Sequence, residues 1–118
     1  MWIYNVKMQT LSKDGKVIGK GYSGYGIYKN KPKYEHLKNK GPIPRGSYTI
    51  GKPFTSSKTG PYVLPLKPFG HGAKGRHSFQ IHGDKRTDPG NASTGCIILS
   101  PYLRRKIGSS SDTMLRVE

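Results

Sequence analysis

The chain has 118 residues, of which 21 are Lys or Arg and 6 are Asp or Glu, giving a formal net charge of +15. That length suits one domain, residues 1–118, and the charge calls for an anionic partner or surface: nucleic acid, anionic lipid or the carboxylate-bearing bacterial wall. No apolar stretch approaches the ~18 residues of a membrane span, one cysteine excludes an intramolecular disulfide, and Met1 to Lys7 lacks the segments of a secretory signal. Only 32% of residues are hydrophobic while 16 are Gly and 9 are Pro, so turns are frequent and elements short, which favours a mostly β, loop-rich fold. The basic residues form no run of five or six and read as the surface of a folded domain.

In chain order, Met1 to Leu11 interleaves Trp, Ile, Tyr and Val with polar residues, and Ser12-Lys13-Asp14-Gly15 carries turn chemistry, so a hairpin returning through Lys16 to Lys20 is expected. Gly19, Gly21, Gly24 and Gly26 alternate with Tyr22, Tyr25 and Tyr28 outside any strand-then-helix context, which reads as irregular chain packing aromatic rings rather than a phosphate loop. Lys33 to Asn39 is expected to be a short helix stopped by Gly41-Pro42. The rigid turn Gly41 to Gly46 leads into a strand at Ser47-Tyr48-Thr49-Ile50, and Tyr62-Val63-Leu64 is a second strand candidate. Pro68 to His77 reads as loop.

Ser78-Phe79-Gln80-Ile81-His82 alternates, placing Phe79 and Ile81 on one face and His82 at the strand's end on the other. Gly83 to Gly95 is a loop by composition. Cys96 to Leu99 resumes an apolar strand-like run, Ser100-Pro101 is an N-cap followed by Pro at the first helical position, the helix runs over Tyr102 to Ile107, and Thr113 to Val117 supplies a last strand.

The chemistry concentrates around one loop. Cys96 follows Gly95 where a small-residue loop meets an apolar strand, and His82 closes the strand on the loop's other side. Neighbouring strands would bring sulfur and imidazole together as nucleophile and base. A free thiol is mostly protonated at neutral pH, so it needs such a base or nearby N–H donors. Gly95 lets an acyl carbonyl approach the backbone, and the amides of Thr94, Gly95 and Cys96 are oxyanion-hole candidates.

His82-Gly83-Asp84 followed by Ser93-Thr94-Gly95-Cys96-Ile97 resembles the motif of the L,D-transpeptidase (YkuD-like) catalytic domain, and Gly41 to Ile50 is similar to that family's Pro-x-Gly-x-Tyr segment. With Gly75-Arg76 added, the set resembles most the short variant found in type VI secretion effectors that attack peptidoglycan. The resemblance implies a compact, mostly β sandwich with one or two short helices. It implies that Cys96 attacks the diaminopimelate carbonyl of a peptidoglycan stem peptide to form a thioester, that His82 serves as base, and that the Gly83 carbonyl orients the ring. Ser93 would brace the loop and the amides around Gly95 would hold the oxyanion. Water as acceptor gives an L,D-carboxypeptidase; a D-amino acid or second stem gives exchange or crosslinking. Thr94 and Ile98 stand where many housekeeping transpeptidases have His and Arg, which shifts weight to hydrolysis or exchange. The resemblance also implies an antibacterial toxin that is cytoplasmic until secreted without a signal peptide, acts in the periplasm of a target bacterium, and has a cognate immunity protein as partner.

Arg76 and Arg45 are candidates to fork a stem-peptide carboxylate, and Asp84 either contacts a substrate ammonium or forms an Asx turn. His71, His77, His82 and Cys96 match no standard zinc spacing, so no metal or other cofactor is expected. Two rival readings remain from the residues: a basic nucleic-acid-binding module using 8 Tyr, 1 Trp and 3 Phe for stacking, although no nucleic-acid-binding motif and hence no specific nucleic-acid partner is evident, and a non-enzymatic wall-binding protein.

Overall fold

The computed structural model describes residues 1–118. Ten strands are joined by hydrogen bonds: β1 (Trp2–Asn5), β2 (Thr10–Lys13), β3 (Lys16–Lys20), β4 (Tyr22–Ser23), β5 (Gly46–Ile50), β6 (Phe54–Ser56), β7 (Gly60–Phe69), β8 (Phe79–His82), β9 (Ile97–Ile98) and β10 (Met114–Val117), with a single α-helix, α1 (Pro101–Gly108). The sheet runs β3-β2-β1-β10-β5-β7-β8-β9-β4, with β6 branching from β7. Its two end strands, β3 and β4, are separated in the chain by Gly21 alone, so the sheet folds round until its ends meet. Gly21 is required there, because a Cβ would run into the Ile98 carbonyl and Leu99.

One apolar cluster fills the interior. Trp2, Tyr4, Leu11, Tyr48, Leu64, Ile81, Ile97 and Leu115 belong to it, together with Leu103 and Ile107 from α1. The alternation on β1 and β10 accounts for this directly, since Trp2 and Tyr4, like Leu115 and Val117, point inward while their neighbours do not. Burying such side chains is worth about 1.5–3 kcal/mol each. Strands β1 and β10 pair in parallel and β10 pairs antiparallel with β5.

The expected first strand divides in two, β1 and β2, and the Asp14-Gly15 hairpin joins β2 to β3, both turn residues having positive φ. Lys33 to Asn39 does not form an α-helix: Pro32–Tyr34 makes a single 3-10 turn, and the chain continues as turns to a Gly41 packed so tightly against the Tyr34 carbonyl that a Cβ would collide with it. Strand β7 is longer than the Tyr62 to Leu64 segment and takes in the start of the expected loop. The Ser100 side chain accepts from the Leu103 N–H at 3.3 Å with Pro101 at the first helical position, the N-cap arrangement its sequence predicts. No helix is long and apolar enough to cross a membrane.

Candidate active site

Strands β8 and β9 lie side by side in parallel, with Ile81 opposite Ile97 and His82 opposite Ile98. Parallel strands cannot be joined by a tight hairpin, and Gly83 to Cys96 is the crossing that this demands. Its ends bring His82 and Cys96 to the edges of one cavity of about 880 Å³, which Arg76, Gly83, Asp84, Thr94 and Gly95 also line.

The imidazole of His82 is 4% exposed. Its Nδ1 lies 2.9 Å from the Gly83 carbonyl oxygen, and since a carbonyl only accepts, Nδ1 carries the proton and a neutral ring leaves Nε2 as the basic nitrogen. Burial holds the His82 pKa below its ordinary 6.5; the Gly83 hydrogen bond works the other way, and the positive charge of Arg104 adds to the lowering. At neutral pH the ring is therefore uncharged.

Cys96 is partly exposed. Burial pushes its thiol above the ordinary 9.0, against the Gln80 N–H that donates to the sulfur and the positive charges of Arg76 and Lys58. Burial therefore favours the neutral form of both the thiol and the imidazole that line this cavity.

The loop is held by buried polar groups. Ser93, fully buried, accepts at Oγ from the N–H groups of Gly24 (2.9 Å) and Gly95 (3.2 Å) and donates to the Cys96 carbonyl at 2.7 Å. This removes the Gly95 amide from the oxyanion-hole candidates, because its proton already has a partner; the Thr94 and Cys96 amides make no hydrogen bond within the chain. Gly95 has φ +135°, and a Cβ there would strike Nη2 of Arg76.

Arg76 is 8% exposed. Its Nη1 donates to the carbonyls of Glu35 (2.6 Å) and Pro42 (2.8 Å), and its Nη2 to those of Gly41 (3.1 Å) and Thr94 (3.4 Å). The fork expected to take a substrate carboxylate is occupied by four carbonyls, and it ties the Gly41-Pro42 turn to the loop carrying Cys96. Arg45 is corrected more simply, since it is not on the cavity. Its Nε and Nη2 donate to Glu35 Oε1 (2.9 Å) and Oε2 (3.2 Å). Burial alone would raise the Glu35 carboxyl, but Arg45's side-chain and backbone hydrogen bonds prevail and hold it below the usual range.

Asp84 closes the loop's other end. Its Oδ1 accepts from Tyr22 Oη (2.7 Å) and the Lys85 N–H (2.9 Å), and the Gly90 N–H lies 3.1 Å from both carboxylate oxygens. Burial favours the neutral acid, yet these donors together keep its pKa below the ordinary value. Tyr22 Oη in turn accepts from the Ala92 N–H at 2.9 Å, so Asp84 forms the turn brace rather than a free ligand for an ammonium. Among the zinc candidates considered, His71 is engaged with the Ser47 carbonyl and the Ala73 N–H, and no group of three metal-ligating side chains occurs.

Three residues of the site have no sequence signature. Glu35 is a buried acid in a chain dominated by bases, Tyr22 reads as one of several packing rings, and Arg104 reads with the other basic residues as domain surface. Arg104 is in fact 5% exposed and packs behind Gly83, where a Cβ would come within 2.8 Å of its Nη2.

The fold is that of the L,D-transpeptidases. An L,D-transpeptidase (Yku) from Stackebrandtia nassauensis aligns with 99% of this chain and 54% of its own length at TM-score 0.58 and 18% identity. An L,D-transpeptidase of Enterococcus faecium, solved as a cysteine-to-serine mutant, aligns over 99% and 48% at TM-score 0.55 and 18% identity. Bd1075 of Bdellovibrio bacteriovorus aligns over 100% and 47% at TM-score 0.65 and 11% identity. The chain spans about half the length of the solved structures it matches. No curated protein matches it in sequence. The family model described as the Tlde1 domain matches residues 18–112, and the chain belongs to that L,D-transpeptidase-like family of type VI effectors. The resemblance carried by His82-Gly83 and by Ser93 to Cys96 is thereby borne out.

Proposed function

We propose that residues 1–118 act as one catalytic domain, a cysteine acyltransferase on peptidoglycan stem peptides, working as an L,D-carboxypeptidase or D-amino-acid exchanger. The observation that carries this reading is the convergence of Cys96 and a His82 whose Nδ1 is tied to the Gly83 carbonyl on one cavity. His82 Nε2 takes the thiol proton as Sγ attacks the diaminopimelate carbonyl. The tetrahedral oxyanion is met by the Thr94 and Cys96 amides, and collapse breaks the bond to the terminal D-Ala, whose amine leaves with the proton from His82. Water or an incoming amine then gives up a proton to Nε2, attacks the thioester and returns the thiol. Arg76 is assigned a positioning role: it fixes the loop backbone and supplies a nearby positive charge as the thiolate develops.

The basic surface suits this substrate, because stem peptides carry carboxylates and the charge raises encounter rates. Family membership supports action as an antibacterial effector, delivered to the periplasm of a target cell and countered in the producer by an immunity protein. The test is incubation of a disaccharide tetrapeptide with the protein, with and without a D-amino acid, followed by mass spectrometry. Loss or replacement of the terminal D-Ala by the wild type, and neither by Cys96→Ala nor His82→Ala, is expected. Turnover by Cys96→Ala overturns the proposal.

A further inference from the structure

Beside the Cys96 cavity lies a second one of about 570 Å³, and Thr59, Gly60, Gly83 and Asp84 form the wall common to both. Lys20, Arg86 and Arg104 line this second cavity against one carboxylate, Asp84, whose oxygens are already engaged by Tyr22, Lys85 and Gly90. The electrostatic character is therefore cationic, in a space large enough for an amino acid or the end of a peptide.

Arg104 is the informative residue. It is 95% buried by its 5% exposure. Nε donates to the Leu99 carbonyl (3.2 Å) and Nη1 to the carbonyls of Pro61 (2.8 Å) and Tyr62 (3.1 Å), whereas Nη2 makes no hydrogen bond and sits against Gly83. No acid pairs with Arg104. Nη2 is not among the side-chain polar atoms sealed from solvent, so an oxyanion that enters the cavity can reach an unpaired donor edge of a charged group. A side chain at residue 83 would meet the same edge, so glycine there keeps it open.

We propose that this second cavity is a carboxylate-binding subsite for the acyl acceptor. The acceptor's α-carboxylate sits at Arg104, Lys20 and Arg86, and its amine lies across the Gly83 wall toward His82, which removes the amine's proton as the thioester is attacked. The acceptor role rests on the acyl-transfer reading above; the carboxylate site does not. Charge recognition there would hold an amino acid on the other side of the Gly83 wall from the cavity that Cys96 and His82 line.

Binding is tested without turnover by amide and arginine side-chain NMR of the Cys96→Ala protein, titrated separately with D-methionine, D-methionine amide and inorganic phosphate. Saturable shifts at Gly21, Gly83, Leu99 and the Arg104 side chain are expected with D-methionine, absent with the amide, and weakened at least tenfold in the Lys20→Gln/Arg86→Gln double variant. Both residues are exposed, so that variant is expected to melt with its parent. In the otherwise wild-type enzyme, the same pair of substitutions is expected to lower the ratio of exchange to hydrolysis about tenfold. Equal shifts from acid and amide, shifts confined to residues around position 96, or binding of phosphate without D-methionine each overturn the proposal. Carboxylate binding here in a wild type that never turns over stem peptide upholds the carboxylate site while refuting the acyl-transfer reading, so the two failures are distinguishable.

Discussion

The strands β1, β10 and β5 and the loop from Gly83 to Gly95 are held by different forces. The strands bury Trp2, Tyr4, Tyr48 and Leu115 in alternation, so their order comes from apolar area and ladder hydrogen bonds. The loop has no regular element and buries few apolar groups; single side chains, Ser93, Asp84 and Arg76, each tie several backbone groups. The contrast predicts that stability and the proposed activity are separable here. Damage to the strands should unfold the protein, and damage to the loop should leave a folded protein with a misaligned site.

The largest expected effect on turnover is at the reacting pair. His82→Ala should lower kcat/KM for stem-peptide cleavage by about 10²–10⁴-fold, the usual contribution of a general base, with a melting temperature within a few degrees of wild type. A large loss of stability with retained activity would break the comparison. Ser93→Ala comes next: the Gly24 and Gly95 amides and the Cys96 carbonyl lose their common partner, which should cost about 1–3 kcal/mol of stability and, through the loosened loop, lower kcat ~10–100-fold with a smaller change in KM. Arg76→Lys keeps the charge near the sulfur but loses the fork. It should lower kcat about tenfold while alkylation of the thiol keeps nearly its wild-type pH profile, whereas Arg76→Met should also move that profile to higher pH.

Leu115→Ala sharpens the comparison from the other side. It should destabilise by about 2–5 kcal/mol in denaturant melts and leave kcat at a temperature well below the transition almost unchanged. The smallest expected effect is in the pH profile. Because the folded-state pKa of His82 is lowered from 6.5, the neutral base persists below that value, and the acid limb of kcat/KM should fall below pH 6.5. The raised Cys96 pKa places the midpoint for iodoacetamide alkylation of the resting enzyme above pH 9.0. Rapid alkylation that stays constant down to pH 6 would instead reveal a thiolate–imidazolium pair.

The same division explains what was legible in the sequence. The local rules wrote the Asp14-Gly15 turn, the Ser100-Pro101 cap and the alternation of Phe79 and Ile81, because two or three adjacent residues decide each. The motif placed His82, Gly83 and Cys96 near one another, and the parallel pairing of β8 with β9 supplies the reason. Arginine partners were not legible. Arg45, Arg76 and Arg104 look alike as sequence, yet one pairs with Glu35 and two are buried among carbonyls from distant segments. Nothing local decides which oxygen a guanidinium reaches. The helix expected over Lys33 to Asn39 failed for a related reason: the Gly41-Pro42 turn is pulled onto Arg76, and the segment follows it as turns.

The most direct test is to quench the enzyme with acid within one turnover of a stem tetrapeptide and map the protein by mass spectrometry. A tripeptidyl adduct should be found on Cys96, with one D-Ala released per adduct, and should be absent from Cys96→Ala. Release of D-Ala by Cys96→Ala, or an adduct on any other residue, would contradict the account.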